Sequence, residues 1–241
     1  LVGADNTFLS PALQNPIEFG VDIVVHSTTK YINGHSDVVG GAVIAANQEL
    51  GDELAWWANN IGITGAPFDS YLTLRGLRTL NVRLRQHQEN AFVIAQYLED
   101  SPYVSQVYYP GLESHPQHEL AKQQQRGFGG MVSFDIKGDV NDAAAFLTSL
   151  TEFSLAESLG GVESLICHPA NMTHAGMDAT ARLEAGVGDT LIRISVGIED
   201  VKDLVADLER VFNKVKPGQG NVNTATQKVE QSVQQDEQSS S

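Results

Sequence analysis

The stretch GVDIVVHSTTKYINGHSDVVGGAVIAA, residues 20–46, decides the fold. Its apolar run Val21–Val25 is typical of a buried strand, and Gly40–Ala46 predicts a second strand that begins at a glycine. Between the two lies a dense polar segment, His26–Asp37. In an open α/β sheet, ligands usually bind beyond the carboxyl ends of the strands. The stretch therefore predicts an α/β fold with a binding site directly after its first strand.

Helical patterns follow this stretch. Residues 48–58 predict one helix, and the pattern from Asp69 to about Glu99 is longer than a typical helix. Because Gly76 interrupts that long pattern, we expect two helices there. A second α/β pattern comes next, and a long helix can connect two cores. We therefore place a domain boundary near residue 88.

Beyond residue 88 the sequence predicts three strands and three helices. The strands are Val104–Tyr108, Met131–Ile136 and Thr190–Val196, and the first two helices are Glu119–Gln125 and Asn141–Leu150. Asp200 can cap the last helix, whose apolar residues form one core-facing stripe. The stripe consists of Val201, Leu204, Val205, Leu208, Val211 and Phe212. Residues 214–241 have no aromatic residue and are rich in Gln and Ser, so we expect a disordered tail.

Composition excludes several classes of protein. The 241 residues carry a formal net charge of −15, which argues against partners such as nucleic acid and anionic membranes. No segment approaches the roughly 20 apolar residues of a membrane span. The lone Cys167 excludes an internal disulfide and fits a reducing, cytoplasmic location. With His168 and His174 it matches no common zinc spacing, so we expect no metal site.

Lys30 is the leading candidate for chemistry in the polar segment. It can anchor a phosphate electrostatically, or act as an amine nucleophile that forms a Schiff base with a carbonyl. Ser27 and Thr29 can donate hydrogen bonds to phosphate oxygens. The glycines of a P-loop are absent from this segment. A solvated turn with an exposed lysine is equally compatible with these residues.

Four other residues also permit two interpretations. Asp5 ends an apolar start and can either cap a helix, the more common use, or bind a cationic ring nitrogen. Arg193 lies inside an apolar strand, so it must pair with an anion from the protein or with a ligand carboxylate. Glu157 and Ser158 lie in a glycine-bearing loop, which is either functional or a plain turn.

The polar segment resembles the lysine motif of pyridoxal-phosphate (PLP) enzymes of the cystathionine γ-synthase family. Other segments match that family in the same order: Asp5–Phe8, Asn59–Gly62, Arg75–Leu80, Glu157–Leu165, Met172–Ala175 and Arg193–Ser195. The resemblance covers about residues 1–213 and implies the aspartate-aminotransferase fold, PLP-dependent transferase fold type I. Residues 1–88 would then be the end of the large cofactor domain, and residues 89–213 a smaller C-terminal α/β domain. It also implies that roughly the first third to half of the protein precedes Leu1.

The resemblance further implies roles for the residues around the cofactor. Lys30 would hold PLP covalently and then move protons, and Asp5 would pair with the protonated pyridine nitrogen. Ser27 and Thr29 would donate to the cofactor phosphate. Because the upstream part would supply further phosphate and ring contacts, the chain alone is expected to form an incomplete site, and a non-catalytic interaction module stays an alternative.

The resemblance also implies the substrates. Arg193, with Ser158 beside it, would bind the α-carboxylate, Asn59 would add a substrate contact, and Glu157 would bind the amino group of a cysteine co-substrate. We therefore expect γ-replacement: an O-acylhomoserine, in the first place O-succinylhomoserine, and L-cysteine give cystathionine and the free acid. The alternatives within the family are γ-elimination, β-elimination and sulfhydrylation. The resemblance implies a homotetramer, a dimer of dimers. It also implies that the small-molecule partners are amino-acid substrates.

Overall fold

A three-stranded sheet contains both strands predicted within residues 20–46. The computed structural model describes residues 1–219, and its first sheet has the order β1 (Gly3–Asp5), β2 (Ile23–Ser27) and β3 (Gly41–Ala45). β1 pairs in parallel with β2, and β3 pairs antiparallel with β2. Strand β2 lies two residues later than predicted, because its ladder with β3 continues through His26 and Ser27.

The second sheet has five strands and mixed pairing. Its order is β4 (Val104–Tyr108), β5 (Met131–Ile136), β8 (Leu191–Ser195), β7 (Leu165–Cys167) and β6 (Ser154–Leu155). β4, β5, β8 and β7 pair antiparallel in turn, while β6 pairs in parallel with β7. The three predicted strands are all present. The sequence pattern missed β6 and β7, which are too short to show a periodicity of their own.

Eight α-helices connect or follow these strands within residues 1–219. They are α1 (Ser10–Leu13), α2 (Gln48–Ile61), α3 (Pro67–Leu77), α4 (Leu80–Asp100), α5 (His118–Gln124), α6 (Val140–Ser149), α7 (Ala179–Glu184) and α8 (Val201–Val215). A 3-10 turn, Pro16–Phe19, lies between α1 and β2. None of the helices within residues 1–219 has the length and apolar character needed to cross a membrane.

The division of the long helical pattern into α3 and α4 is confirmed, but Gly76 has another role than that of a breaker. It lies inside α3, where a side chain would overlap the backbone carbonyl of Asn33. Gly76 therefore allows α3 to approach the polar segment after β2 closely.

The main hydrophobic core lies between the second sheet and the helices α4, α6 and α8. Its centre includes Phe134, Phe146 and Phe212, with ring centroids 4.6 Å apart for Phe146 and Phe212. Residues of the C-terminal half of α4 also belong to this core, whereas Leu80 and Leu84 near its start pack on Tyr31. The helix thus contacts both units, and the domain boundary near residue 88 stays a prediction.

Helix α8 has the predicted cap and the predicted apolar stripe. The Asp200 carboxylate accepts the backbone N–H of Lys202 at 3.0 Å, and Leu204, Leu208, Val211 and Phe212 are buried. The helix continues to Val215, which packs against the core, so Lys214 and Val215 are helical although the prediction assigned them to the tail. Residues 220–241, most of that predicted tail, lie outside the described residues.

Candidate active site

Lys30 lies in a tight turn that directly follows β2. The backbone N–H of Asn33 donates to the carbonyl of Thr28 at 2.9 Å, and that of Gly34 donates to the carbonyl of Lys30 at 2.8 Å. Gly34 has φ +72°, a conformation that favours glycine. The lysine is therefore presented at the carboxyl end of β2, as the sequence predicts.

The Lys30 amine contacts the loop that holds Glu157 and Ser158. Its Nζ donates to the Ser158 Oγ at 3.0 Å. Burial first of all, and then the positive charge of Arg193, hold the pKa of Lys30 below its ordinary value. A lowered pKa increases the fraction of neutral amine, which is the nucleophilic and proton-accepting form.

Arg193 lies on β8 and is partly buried. Its Nη2 donates to the backbone carbonyl of Glu157 at 2.8 Å. It forms no ion pair with an acidic side chain of residues 1–219. The expected anionic partner is therefore not a carboxylate of these residues, and the guanidinium keeps donors for a ligand carboxylate.

The loop Glu157–Gly161 is fixed against both β8 and the Lys30 turn. The backbone N–H of Gly160 donates to the Ser195 Oγ at 2.8 Å, and the N–H of Val162 donates to the carbonyl of Gly34 at 3.0 Å. Gly160 has φ +78°, and a Cβ there would lie 2.7 Å from the backbone nitrogen of Tyr31. Only glycine therefore fits between the loop and the turn.

Asp5 ends β1, next to the end of β2 in the parallel pair. Its Oδ1 accepts the backbone N–H of Thr7 at 2.9 Å. The Thr7 hydroxyl, its backbone N–H and the charge of His26 hold the pKa of Asp5 below its ordinary value, although burial opposes them. Asp5 caps no helix of the structure and is an exposed anion at the carboxyl edge of the sheet.

The two predicted phosphate donors differ in their surroundings. The Thr29 Oγ1 donates to the carbonyl of Gly40 at 3.3 Å and accepts the N–H of Gly40 at 2.9 Å. The Ser27 backbone N–H donates to the Thr7 Oγ1 at 2.8 Å, which links the ends of β1 and β2. Thr29 must release its long bond to Gly40 before its hydroxyl can donate to a phosphate.

Asn59 is the predicted site residue that the structure does not bring to this cluster. It is exposed in the last turn of α2 and makes no hydrogen bond to the other predicted residues within the described part of the chain. Its predicted contact with substrate stays a prediction.

The cysteine and histidines considered for metal binding have other surroundings. Cys167 is buried, and burial raises its pKa. The Nε2–H of His168 donates to the carbonyl of Asp189 at 2.8 Å. Within residues 1–219, no group of three or more His, Cys, Asp or Glu side chains is placed to hold a metal ion.

Sequence reasoning missed the roles of Thr7 and Ser195, which orient Asp5 and the Gly160 loop. Each lies two residues after a predicted site residue, Asp5 or Arg193. Along a strand, residues two apart share a face, so this spacing was the available signal for Ser195. Thr7 lies beyond the end of β1, where no periodicity indicates its contacts.

The chain is similar in sequence to known proteins. The sequence pattern of the family described as Cys/Met metabolism PLP-dependent enzyme matches residues 1–213. The chain is 58% identical over 214 residues to the cystathionine gamma-synthase of Escherichia coli (strain K12), covering 89% of this chain and 55% of that protein. It is 55% identical over 210 residues to the cystathionine gamma-lyase of Dictyostelium discoideum, covering 87% and 54%.

A solved structure matches as well. It is a cystathionine gamma synthase from Xanthomonas oryzae pv. oryzae in complex with aminoacrylate and cysteine, with a TM-score of 0.88 and 60% identity. The match covers 90% of this chain and 56% of that one, and it confirms the expected fold type I architecture. The chain spans about half the length of the curated relatives it matches.

Proposed function

Because the chain belongs to the family of Cys/Met metabolism PLP-dependent enzymes, we propose that it provides the lysine-bearing part of a γ-replacing active site. The substrates are an O-acylhomoserine, in the first place O-succinylhomoserine, and L-cysteine, and the products are cystathionine and the free acid. The observation that carries the proposal is the Lys30 amine, partly desolvated and held 3.0 Å from Ser158 beside Arg193.

The residues at the carboxyl edge of the first sheet fit PLP. Lys30 would hold the cofactor through its amine, and Asp5 would supply an anion for the protonated ring nitrogen. Ser27 and Thr29 supply hydroxyls for the phosphate. Bound there, PLP provides an electron sink that stabilises negative charge on carbons next to the amino-acid nitrogen.

Lys30 also handles protons in the proposed reaction. Its neutral Nζ accepts a proton from Cα of the homoserine ester, releases that proton and then accepts a second one from Cβ, which allows the γ C–O bond to break with the electron pair on the departing carboxylate. The cysteine thiol gives up its proton, which leaves with the free acid, as its sulfur forms the new bond at Cγ. Nζ then returns one proton to Cβ and one to Cα. The hydrogen bond to Ser158 holds Nζ in place during these transfers.

The loop Glu157–Gly161 and strand β8, which contact each other through Arg193, are proposed to bind the substrates. The Arg193 guanidinium keeps donors for the α-carboxylate, since within residues 1–219 it binds only a carbonyl and no acid. The exposed carboxylate of Glu157 is proposed to bind the cysteine amino group, and Asn59 to make a further substrate contact.

Elimination by a γ-lyase is the second candidate, because a relative with 55% identity is named as one. The two reactions share Lys30 and Arg193 and differ in whether a thiol adds at Cγ. Full-length protein is incubated with O-succinylhomoserine, with and without L-cysteine. Cystathionine formed only when cysteine is present supports the proposal, and 2-oxobutyrate and ammonia as the main products in both mixtures support the lyase.

A pair of variants tests whether Lys30 carries the activity, whether that activity is γ-replacement or γ-elimination. Lys30→Ala is expected to abolish product formation, because no other residue replaces its amine. Lys122→Ala removes an exposed lysine on α5 and is expected to leave the rate unchanged. Equal rates in both variants would contradict the proposed role of Lys30.

We also propose a homotetramer in the cytoplasm. Support for assembly comes from α2: none of its residues, all of which the structure describes, is buried, and Trp56 is 58% exposed. Large exposed apolar faces mark interfaces. Support for the compartment is the free, buried thiol of Cys167. Sedimentation of the protein tests the assembly, and a monomer at micromolar concentration would contradict it.

A further inference from the structure

Helix α4 carries three buried polar residues, Arg83, His87 and Asn90, which we call the polar stripe of α4. They are 4%, 0% and 1% exposed. Their spacing of four and three residues places them on one face of the helix. The hydrogen-bond partners of all three include backbone carbonyls of segments distant in sequence. Buried polar groups in this number require a structural or functional reason.

Arg83 binds the turn that contains Lys30. Its Nη1 donates to the carbonyl of Tyr31 at 2.8 Å, and its Nη2 donates to those of Gly76 at 2.9 Å and Ile32 at 3.3 Å. Within residues 1–219 it pairs with no acidic side chain. The forked guanidinium therefore serves to hold carbonyls in fixed positions.

The surroundings of Arg83 are adapted to this contact. A side chain at Gly34 would overlap the Arg83 guanidinium, and a side chain at Gly76 would overlap the carbonyl of Asn33. The turn thus packs on α3 and α4 at a distance that two glycines permit. A shift of the turn would break several hydrogen bonds of one charged group at once.

His87 and Asn90 bind the segment that follows β8. The His87 Nδ1–H donates to the carbonyl of Val196 at 2.6 Å. The Asn90 Nδ2 donates to the carbonyls of Gly197 at 3.1 Å and Glu199 at 2.9 Å. Val196 is three residues after Arg193, so the same helix holds the end of the strand that carries the guanidinium.

We propose that the polar stripe of α4 is a set of positioning residues that fixes the Lys30 turn and the end of β8 relative to each other. Seven residues of rigid helix, a rise of about 10 Å, separate its two ends. The stripe thereby sets the spacing between the amine and the guanidinium of the site. The inference concerns how the chain holds these groups, and its catalytic meaning rests on the proposed function.

The experiment compares Arg83→Met and Arg83→Lys with Arg85→Met, which removes an exposed arginine from the same helix. Amide hydrogen exchange is measured in the segments 28–34 and 201–215. We expect about tenfold faster exchange in 28–34 for both Arg83 variants, since lysine cannot replace the fork, and no change in 201–215. Arg85→Met is expected to change neither segment.

A second readout separates positioning from a loss of stability. Competitive acetylation of the lysines at a series of pH values reports the pKa of the Lys30 amine without requiring PLP. In Arg83→Met the midpoint is expected to rise toward the ordinary value of a lysine, because the released turn exposes the amine. Asn90→Leu is expected to release the end of β8 and so to move the Arg193 charge away from the amine. The resulting rise is expected to be smaller, because that charge is the lesser of the two causes of the lowered Lys30 pKa.

The outcomes distinguish the two proposals. Unchanged exchange in 28–34 and an unchanged Lys30 midpoint in both Arg83 variants would overturn the positioning role. If those changes occur but the wild-type protein takes up no PLP at Lys30, the positioning role stands and the proposed function fails.

Discussion

The two sheets of the molecule are stabilised in different ways. The second sheet encloses a large core of buried aromatic and aliphatic residues, among them Phe134 and Phe146. The turn between β2 and β3 of the first sheet packs on a small cluster, in which Tyr31 contacts Leu84 and Leu159. Yet Lys30 belongs to this turn. Its position therefore depends on directional hydrogen bonds more than on the amount of apolar area that is buried.

The proposed function accounts for this difference. A core residue needs only to be apolar and of suitable volume, whereas the amine of the proposed site must be held within a fraction of an ångström. Hydrogen bonds to carbonyls have defined directions, so they fix a turn more narrowly than dispersion contacts do. The polar stripe of α4 and the Ser195–Gly160 bond supply such directions around Lys30.

The largest expected effect comes from matched phenylalanine truncations in the two units. Phe146→Ala is expected to lower the free energy of unfolding by about 3–5 kcal/mol, since the ring is fully buried between Phe134 and Phe212. Phe68→Ala on α3 is expected to change it by less than about 0.5 kcal/mol, because that ring is 68% exposed. Denaturant titration measures both, and equal losses would contradict the comparison.

The next effect is a pH dependence located in the polar stripe. Burial lowers the pKa of His87 to about 4, with a contribution from Arg83 that the Val196 carbonyl and Glu163 oppose. The unfolded chain binds this proton near pH 6.5 and the folded chain does not, so stability falls as the pH drops from 6.5 toward 4.

His87→Gln isolates that contribution. Between pH 7 and pH 5 the wild type is expected to lose about 2 kcal/mol more than the variant. The comparison with the variant is needed because burial also lowers the pKa of His26 and of His115. Parallel stability curves for the two proteins from pH 7 to pH 5 would show that His87 is protonated in the folded state.

A smaller effect is expected at the start of α2. The Asn47 side chain accepts the backbone N–H of Leu50 at 3.0 Å and caps a helix without buried residues among those described. Asn47→Ala is expected to cost about 1 kcal/mol, and Asn47→Asp much less, because aspartate also caps. Helix content by circular dichroism and denaturant titration check both variants, and an equal loss in the two would exclude capping as the cause.

Much of the fold could be predicted from the sequence, and physical reasons explain which features could not. Period-2 and period-3.6 patterns predicted β5, α6 and α8 closely, because these elements bury one face in the main core. The motif around Lys30 predicted the family, which the comparisons with known proteins confirm, and the site that it indicates stays a prediction. The polar stripe of α4 was not predicted, since Arg83 and Asn90 look like surface residues in a sequence and only tertiary contacts show what they bind.

Locating PLP on the chain tests the site most directly. The protein is incubated with PLP and reduced with borohydride, and the modified lysines are identified by mass spectrometry, with exposed Lys122 as an internal reference. The desolvated amine beside Arg193 predicts that Lys30 is modified far ahead of Lys122. Asp5→Asn is expected to reduce this preference, because Asp5 is proposed to bind the ring nitrogen of PLP. Modification of Lys30 no faster than that of Lys122 would contradict the assignment of Lys30 as the cofactor-binding residue.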